Sequence, residues 1–218
     1  MYKLRVVLSK QEPACYLSHL DFMRALQRSF VRADLPVKYS QGFNPHIEMS
    51  LPVPLSTGYR SVCELCDVEL TCDELPERLL ERLNAALPRG ITARACGPVD
   101  RPAREALNCA YELIVPAGDE DAMAAVFTRP APVDKRSKRG SREVDARDYI
   151  REIAFTREGA HTVCRCMLAA GEDPLNPLYL VALLRKNGLV AEDAPVCCVR
   201  TRICDENMED FCKFPLQF

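Results

Sequence analysis

The chain has 218 residues, of which 48% are hydrophobic and 28% are charged, so it can bury a core and is neither disordered nor fibrous. Its 29 Lys and Arg nearly balance 31 Asp and Glu, which excludes a protein that coats polyanions through a global positive field. No apolar stretch approaches the roughly 18 to 20 residues that span a bilayer, and the charged first segment is unlike a signal peptide. We therefore expect a soluble cytoplasmic protein without a membrane partner.

Strands and helices alternate in the first half of the sequence. Residues 2–8 alternate as a strand, and a capping box formed by Ser18 and Asp21 begins a helix that runs to about Asp34. A turn at 42–45 interrupts the extended segment that follows. Further elements are predicted as a strand at 61–71, a helix at about 73–87 and a strand at 91–99.

This order of elements predicts the fold class. Strand, helix, strand, strand, helix, strand is the ferredoxin-like split βαβ arrangement, and the second half repeats it loosely. We therefore predict an α+β protein with two tandem ferredoxin-like domains, at 1–98 and 107–218, joined by a Pro- and Arg-rich linker at 98–106.

The cysteines predict neither a disulfide framework nor a metal site. Twelve cysteines in a chain expected in a reducing cytosol are mostly small buried thiols. Cys63 and Cys66 form a CxxC, but on a strand residues three apart point to opposite faces and cannot easily bind one ion. Cys164 and Cys166 share a strand face without a second ligand pair at metal-finger spacing. We expect no cofactor.

Two groups of basic residues are candidate RNA contacts. Arg24, Arg28 and Arg32 form a stripe at i, i+4 and i+8, opposite the arc of the first helix predicted to be buried. The second group lies in the run at 135–142 and consists of Lys135, Arg136, Lys138, Arg139 and Arg142. Such a run is either a solvated hairpin or loop, or a phosphate clamp that orders on a polyanionic backbone.

Seven further side chains are candidate site residues: His19, Asp21, Phe43, Asn44, His46, Glu64 and Asp145. Asp21 is explained by a helix cap alone, whereas His19 beside it is either a surface residue or a residue that faces a groove. An exposed Phe43 between a glycine and Asn44 can stack on a base, as in single-stranded RNA sites. We expect Gly42, Phe43, Asn44 and His46 to form an exposed loop beside the start of the first helix, which brings His46 near His19.

The two acidic candidates have alternative explanations. Glu64 falls on the strand face that carries Cys66, which should be buried, so it needs an Arg or His partner or acts as a tuned acid or base. Asp67 falls on the other face. Asp145 invites comparison with tRNA pseudouridine synthases, which also use tandem ferredoxin-like architecture and an aspartate nucleophile, by fold analogy only.

A family resemblance covers most of the chain. It rests on SHLDFMRALQRSFVRADLP at 18–36, YSQGFNPHIEMSLPVPLSTG at 39–58 and SVCELCDVEL at 61–70, and continues at 135–150 and 175–184. These segments resemble the radical-SAM-linked proteins, a domain of unknown function found alone or at the end of cobalamin-type radical SAM proteins. The resemblance implies a radical SAM partner and, through neighbouring ribonuclease and ribosomal protein genes, an RNA setting. The CxxxCxxC motif of radical SAM chemistry does not occur in the sequence.

Three functions from different classes follow. The first is an accessory protein that binds RNA and presents it to a radical SAM enzyme. The second is a protein-interaction domain for that partner without RNA contact. The third, ranked last, is an RNA-modifying or RNA-cleaving enzyme that uses His19, His46, Glu64 and Asp145. The protein is more an accessory or binding protein than an enzyme by itself.

Overall fold

The computed structural model describes residues 2–72, 75–137 and 140–214. Within them the chain is an α+β protein with four α-helices and ten β-strands. The described part contains no helix that is both long and apolar enough to cross a membrane. The chain divides into two compact units: the first runs to Glu105 and includes the C-terminal segment that begins at Phe211, and the second is Ala106–Asp210.

The first unit contains two helices and an antiparallel sheet. Its elements are β1 (Tyr2–Lys10), α1 (His19–Arg32), β2 (Met49–Ser50), β3 (Arg60–Leu70), α2 (Pro76–Ala86) and β4 (Ile91–Pro98). Strand β1 lies between β4 and β3, and β2 pairs with the other side of β3. Strand β1 is therefore central in this unit. Its neighbour β3 is separated from it in sequence by α1 and β2.

Helix α1 begins and ends at residues that satisfy its free backbone groups. The Asp21 N–H donates to Ser18 Oγ at 3.2 Å, and that hydroxyl donates to the Asp21 carboxylate at 2.7 Å, which confirms the predicted cap. At the other end Asp34 has φ 51°, and the Leu35 N–H reaches back to the Phe30 carbonyl at 3.2 Å. The predicted arc is buried: Phe22, Leu26, Phe30 and Ala33.

The core of the first unit lies between its helices and one sheet face. Apolar residues recur at helical spacing in α1 and α2 and at every second position in β1, so each element contributes one side to this cluster. The buried cluster includes Val6, Leu8, Cys66, Val68, Leu79, Leu83, Ile91 and Ala93. The solvent-facing side of α1 and the loop after it remain available for a site.

The second unit repeats the strand order of the first. Its elements are β5 (Asn108–Pro116), α3 (Glu120–Val126), β6 (Pro132–Ser137), β7 (Gly140–Asp145), β8 (Ile150–Glu158), β9 (His161–Ala169), α4 (Leu178–Lys186) and β10 (Cys197–Cys204). Strand β5 lies between β10 and β9, and β8 follows β9, all antiparallel. Strands β6 and β7 form a separate hairpin inserted after α3.

An aromatic ring attaches the C-terminal segment to the first unit. The Phe211 ring is buried, with the Arg5 guanidinium 4.9 Å and the Arg101 guanidinium 5.1 Å from its centroid. Cation–π contacts of this kind are stabilising where the ring and cation are removed from water. The segment therefore belongs to the first unit, whereas the sequence-based boundaries of 107–218 included it in the second domain.

Candidate functional site

A groove lies between the second half of helix α1 and the loop that follows it. The cavity has a volume of about 440 Å³. It is lined by Gln27, Arg28, Val31, Arg32, Tyr39, Pro45, His46 and Ile47, which we call the basic groove. Three residues from the sequence-based candidate set, Arg28, Arg32 and His46, therefore meet in one place.

The loop at 40–46 is closed by bonds between its first and last residues. The Ser40 N–H donates to the His46 carbonyl at 2.8 Å, and the His46 N–H donates to Ser40 Oγ at 3.1 Å. Ser40 Oγ also lies 2.9 Å from His46 Nδ1. Gly42, with φ 129°, takes a backbone conformation that side chains rarely adopt. The closed loop holds the imidazole in place and presents Phe43 and Asn44 fully to solvent.

The three arginines of the predicted stripe differ in their surroundings. Arg28 is exposed and lines the basic groove. Arg32 also lines it, but its Nη2 donates to Ser29 Oγ at 3.0 Å and to the Ala86 carbonyl at 2.6 Å. Arg24 lies one turn further from the groove and forms an exposed ion pair with Asp21 at 3.2 Å. Spacing alone made them equivalent, and their partners make Arg28 the least constrained.

The groove is electrostatically one-sided. Its described lining contains two guanidinium groups and an imidazole but no carboxylate. A second cavity of about 290 Å³ shares His46 and Ile47 with the groove, and its charged lining consists of Lys3 and three acidic residues, Glu48, Asp67 and Glu69. There Lys38 bridges Glu48 at 2.6 Å and Glu69 at 2.9 Å, and this contact raises the pKa of the lysine. An anion therefore fits the first cavity and not the second.

His19 and Asp21 belong to the opposite end of helix α1. Nine residues separate His19 from Arg28, which is about 14 Å along the axis at 1.5 Å per residue. The hydrogen bond from Ser18, followed by the contact with Arg24, lowers the pKa of Asp21, as a capping carboxylate requires. His46 lines a groove with arginines of the second half of α1, whereas the loop was expected beside the start of that helix. The pairing of His46 with His19 stays a prediction.

Strand β3 carries two buried carboxylates. Glu64 is 4% exposed and lies opposite Leu8 in the register with β1. Asp67 is 5% exposed, although alternation placed it on the more exposed face, and it forms a bidentate pair with Arg5 at 2.7 and 2.8 Å. Arg5 and Asp67 lie directly opposite each other in the pairing of β1 with β3. Asp67 is buried because the neighbouring strand supplies a counterion, which a single strand's pattern cannot reveal.

Asp145 has a structural role at the end of β7. Its carboxylate accepts hydrogen bonds from the Arg147 N–H at 3.0 Å and the Ala131 N–H at 3.3 Å, and it pairs with the Arg147 guanidinium at 2.7 Å. These contacts, the guanidinium first, lower its pKa to about 2. The side chain therefore caps the short helical turn 146–149 as a stable carboxylate.

The basic run forms part of the β6–β7 hairpin, and its cations are unequally available. Lys135 is buried and its ammonium pairs with Asp173 and lies 4.6 Å from the centre of the Tyr149 ring. Arg142 pairs with the same aspartate and donates to Tyr149 OH at 3.1 Å. Arg136 is exposed. Lys138 and Arg139 lie outside the described residues.

The cysteines are free thiols throughout. Burial raises the pKa of Cys96 and of Cys212 to about 11, and it raises that of Cys66 further, so these groups are not nucleophiles at neutral pH. Across 2–72, 75–137 and 140–214, no cluster of three or more His, Cys, Asp or Glu side chains could hold a metal ion.

Comparisons with known proteins give a family and little else. The sequence matches the family model described as "Uncharacterized protein conserved in bacteria (DUF2344)" over residues 3–177. The curated proteins contain no match to the chain. A solved structure titled "Crystal Structure of an Unknown Protein from Galdieria sulphuraria" is 13% identical over 91% of this chain and 98% of that one, with a TM-score of 0.27. A likeness this low supports no conclusion about fold or function.

Proposed function

The chain belongs to this family of uncharacterized bacterial proteins, DUF2344, and we propose that it is an accessory protein that binds RNA at the basic groove. One observation carries the proposal: Arg28, Arg32 and His46 line a cavity whose described lining contains no carboxylate. Guanidinium groups bind phosphate oxygens in two-point geometry and dominate contacts to nucleic-acid backbones. A groove with this polarity favours a phosphate-bearing ligand in a protein whose net charge is −2.

The loop beside the groove supports a nucleic acid over a simple anion. Phe43 is fully exposed at the tip of a loop that Ser40 and His46 hold closed. Placing an aromatic ring in water without burial is unfavourable, and such rings are what single-stranded nucleic-acid sites use to stack on bases. Arg24, about 6 Å along the helix from Arg28, extends the cationic surface away from the groove.

The salt dependence of binding to a single-stranded RNA of about 12 nucleotides tests this function. Each phosphate contact contributes roughly −0.7 to the slope of log affinity against log salt, so four contacts give a slope of about −3. The double variant Arg24→Ala/Arg28→Ala should reduce the slope by about 1 to 1.5 units. Arg78→Ala, an exposed arginine on α2, is the matched control and should leave the slope unchanged. Absence of binding at low salt, or an unchanged slope in the double variant, overturns the proposal.

We further infer that the bound RNA is presented to a radical SAM enzyme. This part rests on the resemblance of the segments at 18–36, 39–58 and 61–70 and not on the groove. Affinity capture from cells with the protein as bait, read for both protein and RNA, tests it. Recovery of a radical SAM protein without RNA would favour a protein-interaction domain, for which exposed Tyr16 and Leu20 provide apolar surface.

The RNA-modifying or RNA-cleaving alternative is less well supported. Asp145 caps a turn, and His46 shares its groove with arginines.

We also propose that both units are ferredoxin-like. Once the inserted β6–β7 hairpin is set aside, each contains strand, helix, strand, strand, helix, strand, with its first strand between its last and third, which supports that assignment. An experimental structure of the full chain tests it.

A further inference from the structure

We propose that the basic groove holds a single unpaired nucleotide, with its phosphate at Arg28 and His46 and its base against Tyr39. This inference rests on the proposed RNA binding and names the class of RNA that the site selects. It requires that the groove be of the right size, divided into apolar and cationic parts, and equipped with a fixed hydrogen-bond donor.

The size of the groove suits one nucleotide. Its volume of about 440 Å³ lies in the range of roughly 300 to 1,000 Å³ that is typical of sites for single small molecules. A nucleoside monophosphate is a ligand of that kind, whereas paired bases stacked in a helix are much larger. A base can enter only when it is not paired or stacked inside a duplex.

The lining separates an apolar wall from cationic groups. Val31 and Tyr39 are 54% and 45% exposed, respectively, and together with Pro45 and Ile47 they give the groove an apolar wall. An exposed valine on a helix has no packing role on that side, and an exposed tyrosine ring offers a face on which any base can stack. The cationic groups of Arg28 and Arg32 stand beside this wall, which suits a nucleotide with a flat, stacking base and an anionic phosphate.

The contact with the Ser40 hydroxyl determines, in the proposed site, which nitrogen of the His46 ring carries a proton. Ser40 Oγ accepts the His46 N–H at 3.1 Å and lies 2.9 Å from His46 Nδ1, and in the site we propose the Ser40 hydroxyl donates to that nitrogen. A neutral imidazole that accepts at Nδ1 carries its proton on Nε2. Nε2–H is then the donor available to a phosphate oxygen, and Ser40 acts as its positioning residue.

Selection for an unpaired base is tested with three RNA probes of equal length. The probes are a single strand of about 12 nucleotides, the same strand in a duplex, and a single strand whose bases are replaced by abasic sites. We expect the single strand to bind at least about tenfold more tightly than either of the others, because stacking of this kind is lost without free bases.

Variants assign the preference to the groove. Phe43 offers a second ring for stacking, so the variants are made in a Phe43→Ala background. There Tyr39→Ala should remove most of the preference for the single strand, and Tyr39→Phe, which keeps the ring, should retain it. Arg28→Ala should weaken the binding of all three probes, and Arg78→Ala should weaken none. A fluorescent adenine analogue in the strand should be quenched on binding to the natural protein and less so on binding to Tyr39→Ala.

The outcomes separate the inference from the proposed function. Equal affinity for single strand, duplex and abasic strand, or a preference that survives in a folded Phe43→Ala/Tyr39→Ala variant, overturns the single-nucleotide site while RNA binding stands. Circular dichroism establishes that the variant is folded. Binding of none of the probes at low salt overturns the proposed function, and with it this inference.

Discussion

Arg32 and Arg82 each donate a hydrogen bond to the C-terminal end of the helix that carries the other. Arg32 Nη2 lies 2.6 Å from the Ala86 carbonyl of α2, and Arg82 Nε lies 3.0 Å from the Ala33 carbonyl that caps α1. The last carbonyls of a helix lack intrahelical partners, and a cation there also interacts favourably with the helix dipole. The exchange joins the C-terminal ends of α1 and α2 and fixes one wall of the basic groove.

Loss of Arg82, which does not itself line the basic groove, should destabilise the protein. Arg82→Ala removes the donors to the carbonyls of Ala33 and Asp34. Two partly exposed hydrogen bonds from a charged group contribute about 1 to 2 kcal/mol to the free energy of unfolding. Urea denaturation measures the change, with Arg78→Ala on the same helix as a control expected to lie within about 0.5 kcal/mol of the natural protein. Equal stability of the two variants would show that the exchange is not stabilising.

The sequence predicts the helix and its basic stripe but not which of the arginines form hydrogen bonds to other elements. A period of 3.6 residues places Arg24, Arg28 and Arg32 on one side, since that follows from backbone geometry alone. The guanidinium of Arg32 donates to a carbonyl of α2, which lies more than 50 residues further along the chain, so spacing within α1 cannot reveal this contact. For the same reason Tyr39 and Val31 were missed: the sequence shows an aromatic and a valine, and only the return of the loop beside α1 makes them a wall.

Asp34 should show the cost of a left-handed backbone conformation. This residue follows the cap of α1 with φ 51°, where glycine is the most common residue. Both Asp34→Gly and Asp34→Ala remove the carboxylate, so their difference isolates the backbone. We expect the glycine variant to be more stable than the alanine variant by about 1 kcal/mol, measured by urea denaturation. A more stable alanine variant would contradict the conformation described for this turn.

The Arg5–Asp67 pair should be costly to break and inexpensive to replace. Both side chains are almost fully buried and joined by two hydrogen bonds. Asp67→Ala leaves an unpaired buried guanidinium, and we expect a loss of about 3 to 5 kcal/mol in the free energy of unfolding. The double variant Arg5→Met/Asp67→Leu, which removes both charges, should recover most of that loss. If the double variant is as unstable as Asp67→Ala, burial of an unpaired charge is not the cause.

The same pair marks a limit of strand alternation. Alternation assigns Glu64 and Asp67 to opposite faces of β3, and only one face is expected to be buried. The structure buries both residues, because the carboxylate of Asp67 meets Arg5 directly across the ladder. That meeting depends on the register between two strands about 60 residues apart in sequence. Periodicity within one strand carries no information about register.

The contribution of Asp145 to the free energy of unfolding should depend on pH in the acidic range. The Arg147 guanidinium and two backbone N–H groups lower the pKa of this carboxyl to about 2 in the folded protein, below its ordinary value of 3.8. Because the folded pKa is the lower one, the contribution is fully present above about pH 4 and is lost as the pH falls through 2. The partly exposed ion pair limits it to about 1 kcal/mol or less.

A comparison with Asp145→Asn across pH measures this contribution. The variant keeps the size of the side chain and one carbonyl acceptor but cannot ionise. We expect the natural protein to be the more stable of the two at pH 5, and the difference in urea midpoint to shrink between about pH 4 and pH 2. If Asp145 were instead a general acid that stays protonated near neutral pH, its pKa would be raised. The difference in urea midpoint would then change between about pH 5 and pH 8. A constant difference down to pH 2 would show that the cap acts through hydrogen bonding and not through charge.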